Sequence, residues 1–215
     1  MNTESIFTSD ISEAFKVNLI KTWGTDKEIA DIASISYGKD SAQYVEGLLK
    51  YLIANRHLSP FEHAGLTFYI KMPIFIARQL LRYRHISVNE MSRRYTTNTN
   101  KPFEFYIPNE LNTDNDFSTS NVPLSVGLIK SLVKEYEYYI DMKVKPELAR
   151  TILPVNLLTE MYLSVNIREL MHILYQRLES HAQKEITIIA ELMLDHFKDE
   201  FPISSAYFLE LYKEE

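Results

Sequence analysis

The sequence predicts an α+β fold in which a single domain, residues 1–215, carries an antiparallel or mixed sheet with several flanking helices. Segments whose apolar residues recur at helical spacing are interspersed with segments that alternate as strands do. No internal repeat, low-complexity tract or linker divides the chain. With 46% apolar and 24% charged residues, the composition is that of a globular protein with one substantial core.

Two strands and the helices between and after them are expected in the amino-terminal half. Apolar and polar residues alternate, as in half-buried strands, at residues 16–22 and 66–71. After the first of these, a turn leads into a helix that Thr25 or Asp26 can cap. Apolar residues at helical spacing predict a helix within 41–55. Pro73, which the first turn of a helix tolerates, then opens an apolar helix over 74–84.

The carboxyl-terminal half contains two further expected strands, residues 103–107 and 157–165. Apolar spacing predicts helices at residues 128–136, 167–178 and 182–197. A short helix is expected to start at Pro146 and to carry Arg150. Asn166 followed by Glu169 has the pattern of a capping box. Residues 109–123 are polar and rich in turn formers, which indicates a surface loop.

Composition excludes several classes of function. A net charge of −6 argues against a general nucleic-acid binder, because such binding needs Lys and Arg to neutralise phosphates. The absence of cysteine excludes disulfides, thiolate metal sites and a cysteine nucleophile. No apolar run approaches the roughly 20 residues of a membrane span, and the polar start of the chain is unlike a signal peptide. A cytoplasmic protein without membrane or nucleic-acid partners is therefore expected.

Positive charge is concentrated in one segment. Between positions 82 and 94 four arginines stand against one acid: Arg82, Arg84, Arg93 and Arg94 against Glu90. Guanidinium groups bind phosphate in a bidentate manner, and Gln79, three residues before Arg82 on the predicted helix, can face the same ligand. These residues favour a nucleotide site. Their spacing is equally compatible with a solvated helix face whose arginines pair with acids elsewhere.

The residue identities point to a family. Arg82-Tyr83-Arg84 with Ser92 eight positions after Arg84 resembles the Arg-His-Arg, seven-spacer, Ser signature of flavin-dependent thymidylate synthases. Other segments similar to the family, in the same order, include His57-Leu58-Ser59-Pro60, Val88-Asn89-Glu90, Phe105-Tyr106-Ile107-Pro108 and Arg177-Leu178-Glu179-Ser180-His181. Because several motifs recur in order, and the likeness spans residues 23–206, it is much more specific than one short motif.

The resemblance implies reductive methylation of dUMP to dTMP, with methylenetetrahydrofolate as one-carbon donor and FAD reduced by NADPH or NADH. It also implies a homotetramer whose subunits share sites. The implied dUMP ligands are Gln79, Arg82, Glu90, Ser92, Arg93, Arg94, Arg150 and Arg177. Gln79 and Arg82 are expected from one subunit, and residues 90–94 from another. Arg177 is the first catalytic candidate, since a fixed guanidinium can polarise the uracil ring by favouring ionisation at N3.

The resemblance also implies FAD contacts from Ser36, Ser59, Arg82, Tyr83, Arg84, Glu90, Asn166, Arg168 and His172. His57 is a second catalytic candidate, beside the flavin, although a histidine before a Ser-Pro turn is as often a structural loop residue. The chain lacks a Gly-x-Gly-x-x-Gly motif, so side chains must hold the flavin. No metal is expected, because no three candidate ligands have suitable spacing.

The chain departs from the family pattern at three ligand positions: Tyr83 stands where histidine is usual, Arg93 where a small residue is common, and His172 where asparagine is common. Tyr83 keeps an aromatic ring but cannot titrate near neutral pH, so His85 would have to supply an imidazole there. Arg93 can still donate its backbone amide.

Two other functions fit the same sequence. One is a flavin- or nucleotide-binding protein that has lost catalysis, for which Tyr83 is the main motive. The other is an acidic interaction protein whose arginines pair internally. A reduced flavin nevertheless suits a chain without a thiol nucleophile, since a cofactor can carry the redox and one-carbon chemistry while the protein binds and polarises.

Overall fold

A computed structural model of the chain describes residues 6–36, 44–108 and 126–214. The predicted loop at 109–123 and the start of the helix predicted within 41–55 lie outside these residues. The chain divides into two compact units. The first unit comprises Met1–Lys16, Lys71–Gln79 and Glu90–Met161, and the second Val17–Ile70, Leu80–Asn89 and Tyr162–Glu215. The single domain of residues 1–215 stays a prediction.

A four-stranded antiparallel sheet confirms the predicted α+β class. Its order is β2-β3-β6-β4, with β2 at Lys16–Trp23, β3 at Gly65–Pro73, β6 at Leu158–Asn166 and β4 at Ile86–Glu90. The strands predicted at 16–22, 66–71 and 157–165 are confirmed. The strand β4 was not predicted, because this edge strand of five residues carries only two apolar residues, Ile86 and Val88, and neither is fully buried.

The first unit is built around an aromatic core. Strand β1, Ile6–Thr8, pairs in parallel with β5, Glu104–Tyr106, which confirms the strand predicted at 103–107. Its described helices include α1 at Ile11–Ala14, α5 at Val126–Asp141 and α6 at Pro146–Ala149. Phe103, Phe105, Val133 and Tyr136 belong to one buried cluster. The rings of Phe103 and Tyr136 meet edge to face at 5.0 Å.

Helix α4, Ile74–Leu80, begins directly after Pro73 as predicted but is shorter than the predicted 74–84. The helix ends at Leu80, where the backbone N–H of Tyr83 donates to the Leu80 carbonyl at 3.1 Å in a turn. The chain then enters β4 rather than continuing the helix. Arg82 and Arg84 therefore lie in a connection and not on a helix face, which corrects the predicted helical pairing of Gln79 with Arg82.

The second unit carries most of the helices. These are α2 at Asp26–Ser34, α3 at Val45–Ala54, α7 at Ile167–Arg177, α8 at Lys184–Glu200 and α9 at Pro202–Glu214, with a 3-10 turn at Ser59–His63. Two caps were predicted correctly: Thr25 accepts from the Glu28 N–H at 3.1 Å, and Asn166 accepts from the Glu169 N–H at 2.8 Å. Each cap satisfies one backbone N–H that would otherwise be unpaired at the start of the helix.

The helix predicted at 182–197 is confirmed as α8, but it is not the last: α9 follows it after Phe201 and was not predicted. The start of α9 is capped from a distance. The Asp26 carboxylate accepts from the backbone N–H groups of Ile203 at 2.8 Å and Ser204 at 3.2 Å. This cap comes from α2, far away in the sequence, so the local sign of the start of α9 is Pro202 at its first position. None of the helices described, α1 to α9, is long and apolar enough to cross a membrane.

Replacing either of two glycines in the second unit with alanine should change stability, in opposite directions. A Cβ on Gly65 would lie 2.3 Å from the Val165 carbonyl oxygen and from Cζ2 of Trp23, so Gly65→Ala must displace backbone. We expect it to lower the free energy of unfolding by about 3 kcal/mol. Gly47, inside α3, has nothing within 4 Å of its Cβ position, so Gly47→Ala should raise stability by about 0.5–1 kcal/mol. Urea unfolding measures both, and equal midpoints for the two variants would contradict this account.

Candidate functional site

In the first unit, a turn directly after β4 carries three of the predicted site residues. The backbone N–H of Met91 donates to the Glu160 carbonyl at 2.8 Å, which fixes the start of the turn to β6. The hydroxyl of Ser92 accepts from the Arg94 N–H at 3.3 Å. The backbone N–H of Tyr95 donates to the Ser92 carbonyl at 3.2 Å. The turn is thus closed around Ser92, and its two arginine side chains have very different surroundings.

Arg93 is buried, with 8% of its surface exposed. Its guanidinium lies 4.8 Å from the centroid of the Phe103 ring, a cation–π contact. Nη1 donates to the Lys101 carbonyl at 3.5 Å, while Nε is buried without a hydrogen-bond partner among the residues described. Burial lowers the pKa of Arg93, and the nearby Glu160 and Tyr136 oppose that shift. The Arg93 side chain is therefore packed in the interior of this unit.

Arg94 is exposed, and its guanidinium is paired. Nη2 lies 3.3 Å from Oε2 of Glu147, and both side chains are about half exposed. Glu147 lies on α6, and Arg150 stands in the 3-10 turn that follows that helix. The ion pair thus holds Arg94 against the segment that ends in Arg150. A surface pair of this kind is weak enough to be exchanged for another anion.

Two other predicted residues belong to this unit. Glu90 is exposed at the end of β4, and its Oε1 accepts from the Thr159 hydroxyl at 2.7 Å. Gln79 is half-buried in the last turn of α4. The structure therefore places Gln79, Glu90, Ser92, Arg94 and Arg150 at accessible positions of the first unit.

The second unit contains a cavity of about 560 Å³ that runs along α7 from Asn166 to Gln176. Its apolar wall is formed by Ile53, Leu58, Met171, Phe208 and Leu211. Its polar lining includes Arg56, Glu62, His85, Asn166, Arg168, His172 and Gln176. A large apolar pocket with a few convergent polar groups is the usual form of a small-molecule site. This cavity is the main candidate site of the unit.

The amino-terminal turn of α7 supplies the polar end of the cavity. Asn166 caps the helix, and Arg168, in the first turn, forms an ion pair with Glu62 of the 3-10 turn. The helix dipole favours an anion at such a position, and the Arg168 guanidinium can exchange its half-exposed partner Glu62 for that anion, while Glu169 adds a second acid to the lining. This end of the cavity therefore suits a phosphate or pyrophosphate group.

Tyr83 lies behind the cavity lining. It is 9% exposed, and its hydroxyl donates to Oε1 of Gln176 at 2.9 Å. The His172 ring meets the Tyr83 ring edge to face at 5.7 Å, and Cζ of Arg177 lies 5.4 Å from the Tyr83 ring centroid. Burial raises the pKa of Tyr83, although the charge of Arg177 opposes this, so the phenol is protonated at neutral pH. Tyr83 thus holds three side chains of α7 together.

The remaining predicted residues of this unit are all exposed and lie apart from the cavity lining: Ser36, His57, Ser59, Arg82 and Arg84. The backbone N–H of His57 donates to the Leu52 carbonyl at 2.8 Å, and its ring packs against Tyr51 at 6.0 Å. These contacts support the structural interpretation of His57 as a residue that ends α3. Its catalytic role stays a prediction.

In the ranges 6–36, 44–108 and 126–214, no group of three or more His, Cys, Asp or Glu side chains is arranged to hold a metal ion. Of the residues predicted to contact FAD, Asn166, Arg168 and His172 line the cavity together, and His85 lines it as well. Sequence reasoning missed Gln176 and Glu62. Gln176 stands four residues after His172 on α7, so helical spacing alone places the two on one face.

Comparisons with known proteins agree with one another. The family model of the thymidylate synthase complementing protein matches residues 18–203. The flavin-dependent thymidylate synthase of Wolbachia pipientis wMel is 35% identical over 90% of this chain and 73% of its own length. That of Kosmotoga olearia is 35% identical over 90% of this chain and 89% of its own length. A crystal structure of the UMP/dUMP methylase PolB from Streptomyces cacaoi, bound with 5-Br dUMP, has a TM-score of 0.78 at 29% identity, covering 95% of this chain and 97% of that one.

Proposed function

The chain belongs to the flavin-dependent thymidylate synthase family, and on that basis we propose that it methylates dUMP to dTMP. The one-carbon unit comes from methylenetetrahydrofolate, and the hydride from FAD that NADPH or NADH has reduced. The observation that carries the proposal is the cavity of the second unit, where Asn166, Arg168 and His172 converge. These are three of the residues for which the family resemblance implies FAD contacts.

The residues around this cavity fit a flavin dinucleotide. Ile53, Leu58 and Phe208 offer an apolar wall to a flat ring system. The helix dipole at the start of α7 favours a pyrophosphate, for which Arg168 can exchange its exposed ion pair with Glu62. Bound there, the flavin supplies the hydride and the redox chemistry. Ser36, Ser59, Arg82, Arg84 and Glu90 remain proposed FAD contacts of the assembled enzyme, whereas Tyr83 is buried behind the lining and would act on the flavin through its neighbours on α7.

The proposed role of Arg177 is to make the uracil ring reactive. With no cysteine in the chain, a thiolate cannot add to the ring, so the ring must be activated electrostatically. The guanidinium of Arg177 is held over the Tyr83 ring at 5.4 Å, which limits the positions it can take. A fixed positive charge beside N3 favours loss of its proton and stabilises the anionic ring.

The proposed role of the first unit is to bind the nucleotide phosphate. Arg94 and Arg150 are exposed cations carried by adjoining segments, and the Ser92 hydroxyl adds a donor. Phosphate binding to Arg94 replaces its ion pair with Glu147, which is a small loss because that pair is solvent-exposed. Gln79 and Glu90 are the proposed neutral and acidic contacts to the nucleotide.

The test is an assay with dUMP, methylenetetrahydrofolate, NADPH and FAD, in which dTMP is separated by chromatography and flavin absorbance is followed in parallel. We expect product only when all four are present, and none from protein stripped of FAD. NADH in place of NADPH identifies the preferred reductant. FAD-loaded protein that forms no dTMP with either reductant would show the proposal to be wrong.

UMP is a second candidate substrate, since the structural neighbour from Streptomyces cacaoi is a UMP/dUMP methylase. The same assay with UMP in place of dUMP tests it. A ratio of kcat/KM values well above one for dUMP identifies a thymidylate synthase, whereas comparable values identify a methylase that accepts either sugar.

We also propose that the enzyme is a cytoplasmic homotetramer in which subunits share sites. Arg82 and Arg94 would then serve one site from different subunits. Arg82→Ala and Arg94→Ala proteins, each of low activity, are therefore expected to recover activity when they are mixed and allowed to exchange subunits. Light scattering reports the assembly state, and an active monomer, or a mixture no more active than its components, would contradict the shared site.

A further inference from the structure

Gln176 is a polar cavity residue to which no role has been assigned so far. It lies four residues after His172 on α7, and both side chains line the cavity. A carboxamide has an acceptor oxygen at one end and two donor hydrogens at the other. The group that Gln176 presents to a ligand therefore depends on which end is already engaged within the protein.

Tyr83 engages the oxygen end. Its hydroxyl donates to Oε1 of Gln176 at 2.9 Å. The phenol is a donor at neutral pH, since burial keeps it protonated. With the oxygen turned towards Tyr83, the Nε2 hydrogens are the end left for the cavity. In this orientation Gln176 presents a hydrogen-bond donor to the cavity.

Tyr83 is itself held firmly enough to fix this orientation. Its ring is buried, it meets the His172 ring edge to face at 5.7 Å, and it carries the Arg177 guanidinium at 5.4 Å. Tyr83 is absent from the cavity lining, whereas His172 and Gln176 are part of it. Any effect of Tyr83 on a ligand in the cavity must therefore pass through these two side chains.

We propose that Gln176 is a flavin-contacting residue that donates an Nε2 hydrogen to an acceptor atom of the isoalloxazine ring. Tyr83 is a positioning residue that acts through Gln176. The inference rests on the proposed function, since it requires FAD in the cavity of the second unit. The isoalloxazine ring carries carbonyl oxygens and imine nitrogens, and the apolar wall of Leu58 and Phe208 suits its faces. Hydrogen bonds to such atoms tune the electronics of a flavin.

The test is a double-mutant cycle on FAD binding. Apoprotein is titrated with FAD, and the quenching of flavin fluorescence gives the Kd. We expect Gln176→Leu to weaken binding about tenfold, the effect of one lost hydrogen bond to a ligand. Tyr83→Phe removes only the hydroxyl and should weaken binding about threefold, because the amide is then free to turn. The double variant should bind like Gln176→Leu alone, since Tyr83 acts through Gln176.

Two controls separate positioning from a general loss of structure. Tyr162→Phe removes the hydroxyl of an exposed tyrosine on β6 and should leave the Kd unchanged. Gln176→Glu keeps the size of the side chain but replaces the donor with a carboxylate. It should lower the reduction potential of the bound flavin, because a negative charge disfavours the electron-rich reduced ring.

The outcomes are distinct. Wild-type protein that binds no FAD would overturn the proposed function. Wild-type protein that binds FAD and forms dTMP, with Gln176→Leu binding FAD equally well, would overturn the contact from Gln176 and leave the function standing. Additive losses in the double variant would overturn the positioning role of Tyr83.

Discussion

Arg177→Ala is expected to lower kcat for dTMP formation by about 100- to 1000-fold, the usual loss when a preorganised donor to developing charge is removed. The half-buried side chain stacks over Tyr83 at 5.4 Å, so its charge stays in place as the uracil ring becomes anionic. Steady-state turnover of FAD-loaded enzyme measures the loss, and the visible spectrum checks that FAD is bound.

Arg177→Lys and Lys198→Ala are the matched controls. Arg177→Lys keeps the charge but loses the planar fork, so it should recover only part of the activity. Lys198→Ala removes an exposed cation from α8 and should turn over as the wild type does. Wild-type turnover by folded, FAD-loaded Arg177→Ala would rule out ring polarisation by this residue and would favour a structural ion pair.

The adjacent arginines of the first unit are expected to differ sharply. Arg94→Ala should raise the Kd for dUMP by about 10- to 100-fold, since a charge-assisted hydrogen bond contributes roughly 1.5–3 kcal/mol. Arg93→Met should act mainly on stability, because its guanidinium is buried against Phe103. We expect it to reduce the free energy of unfolding by about 1–3 kcal/mol.

Calorimetry with dUMP and deoxyuridine separates the two roles. Only dUMP carries a phosphate. If Arg94 binds that phosphate, Arg94→Ala should weaken the binding of dUMP and leave the affinity for deoxyuridine unchanged. Arg93→Met should alter the affinities for both by the same factor, through the turn that holds Ser92. Selective loss of dUMP binding in Arg93→Met would instead identify Arg93 as a phosphate ligand.

The contrast between Arg93 and Arg94 shows where sequence reasoning stops. Both arginines lie in one motif, and their residue types favour phosphate equally. Burial of Arg93 depends on Phe103, ten residues later, and no local pattern announces this contact. The helix caps at Thr25 and Asn166 were predictable because the capping side chain and the amide it binds lie three residues apart.

The same distinction between local patterns and distant contacts explains which elements of the fold were predicted. Strands β2, β3 and β6 were predicted from the apolar and polar pattern of the sequence, which alternates clearly in β3 and weakly in β2. The strand β4 and the helix α9 were missed, since β4 is a short edge strand with only two apolar residues and the side chain that caps α9 is the distant Asp26. In the cavity, Asn166, Arg168 and His172 were predicted from family resemblance, whereas helical spacing places Gln176 beside His172 but does not reveal its bond to Tyr83.

The cap on α9 also bears on the order of events during synthesis. Asp26 belongs to the first helix of the second unit, while Phe208 and Leu211, which line the cavity, belong to the last. The ribosome must release α9 before Asp26 can bind its amides and before the apolar wall is complete. The cavity therefore forms only after α9 has been synthesised, and a ligand cannot fill it before then.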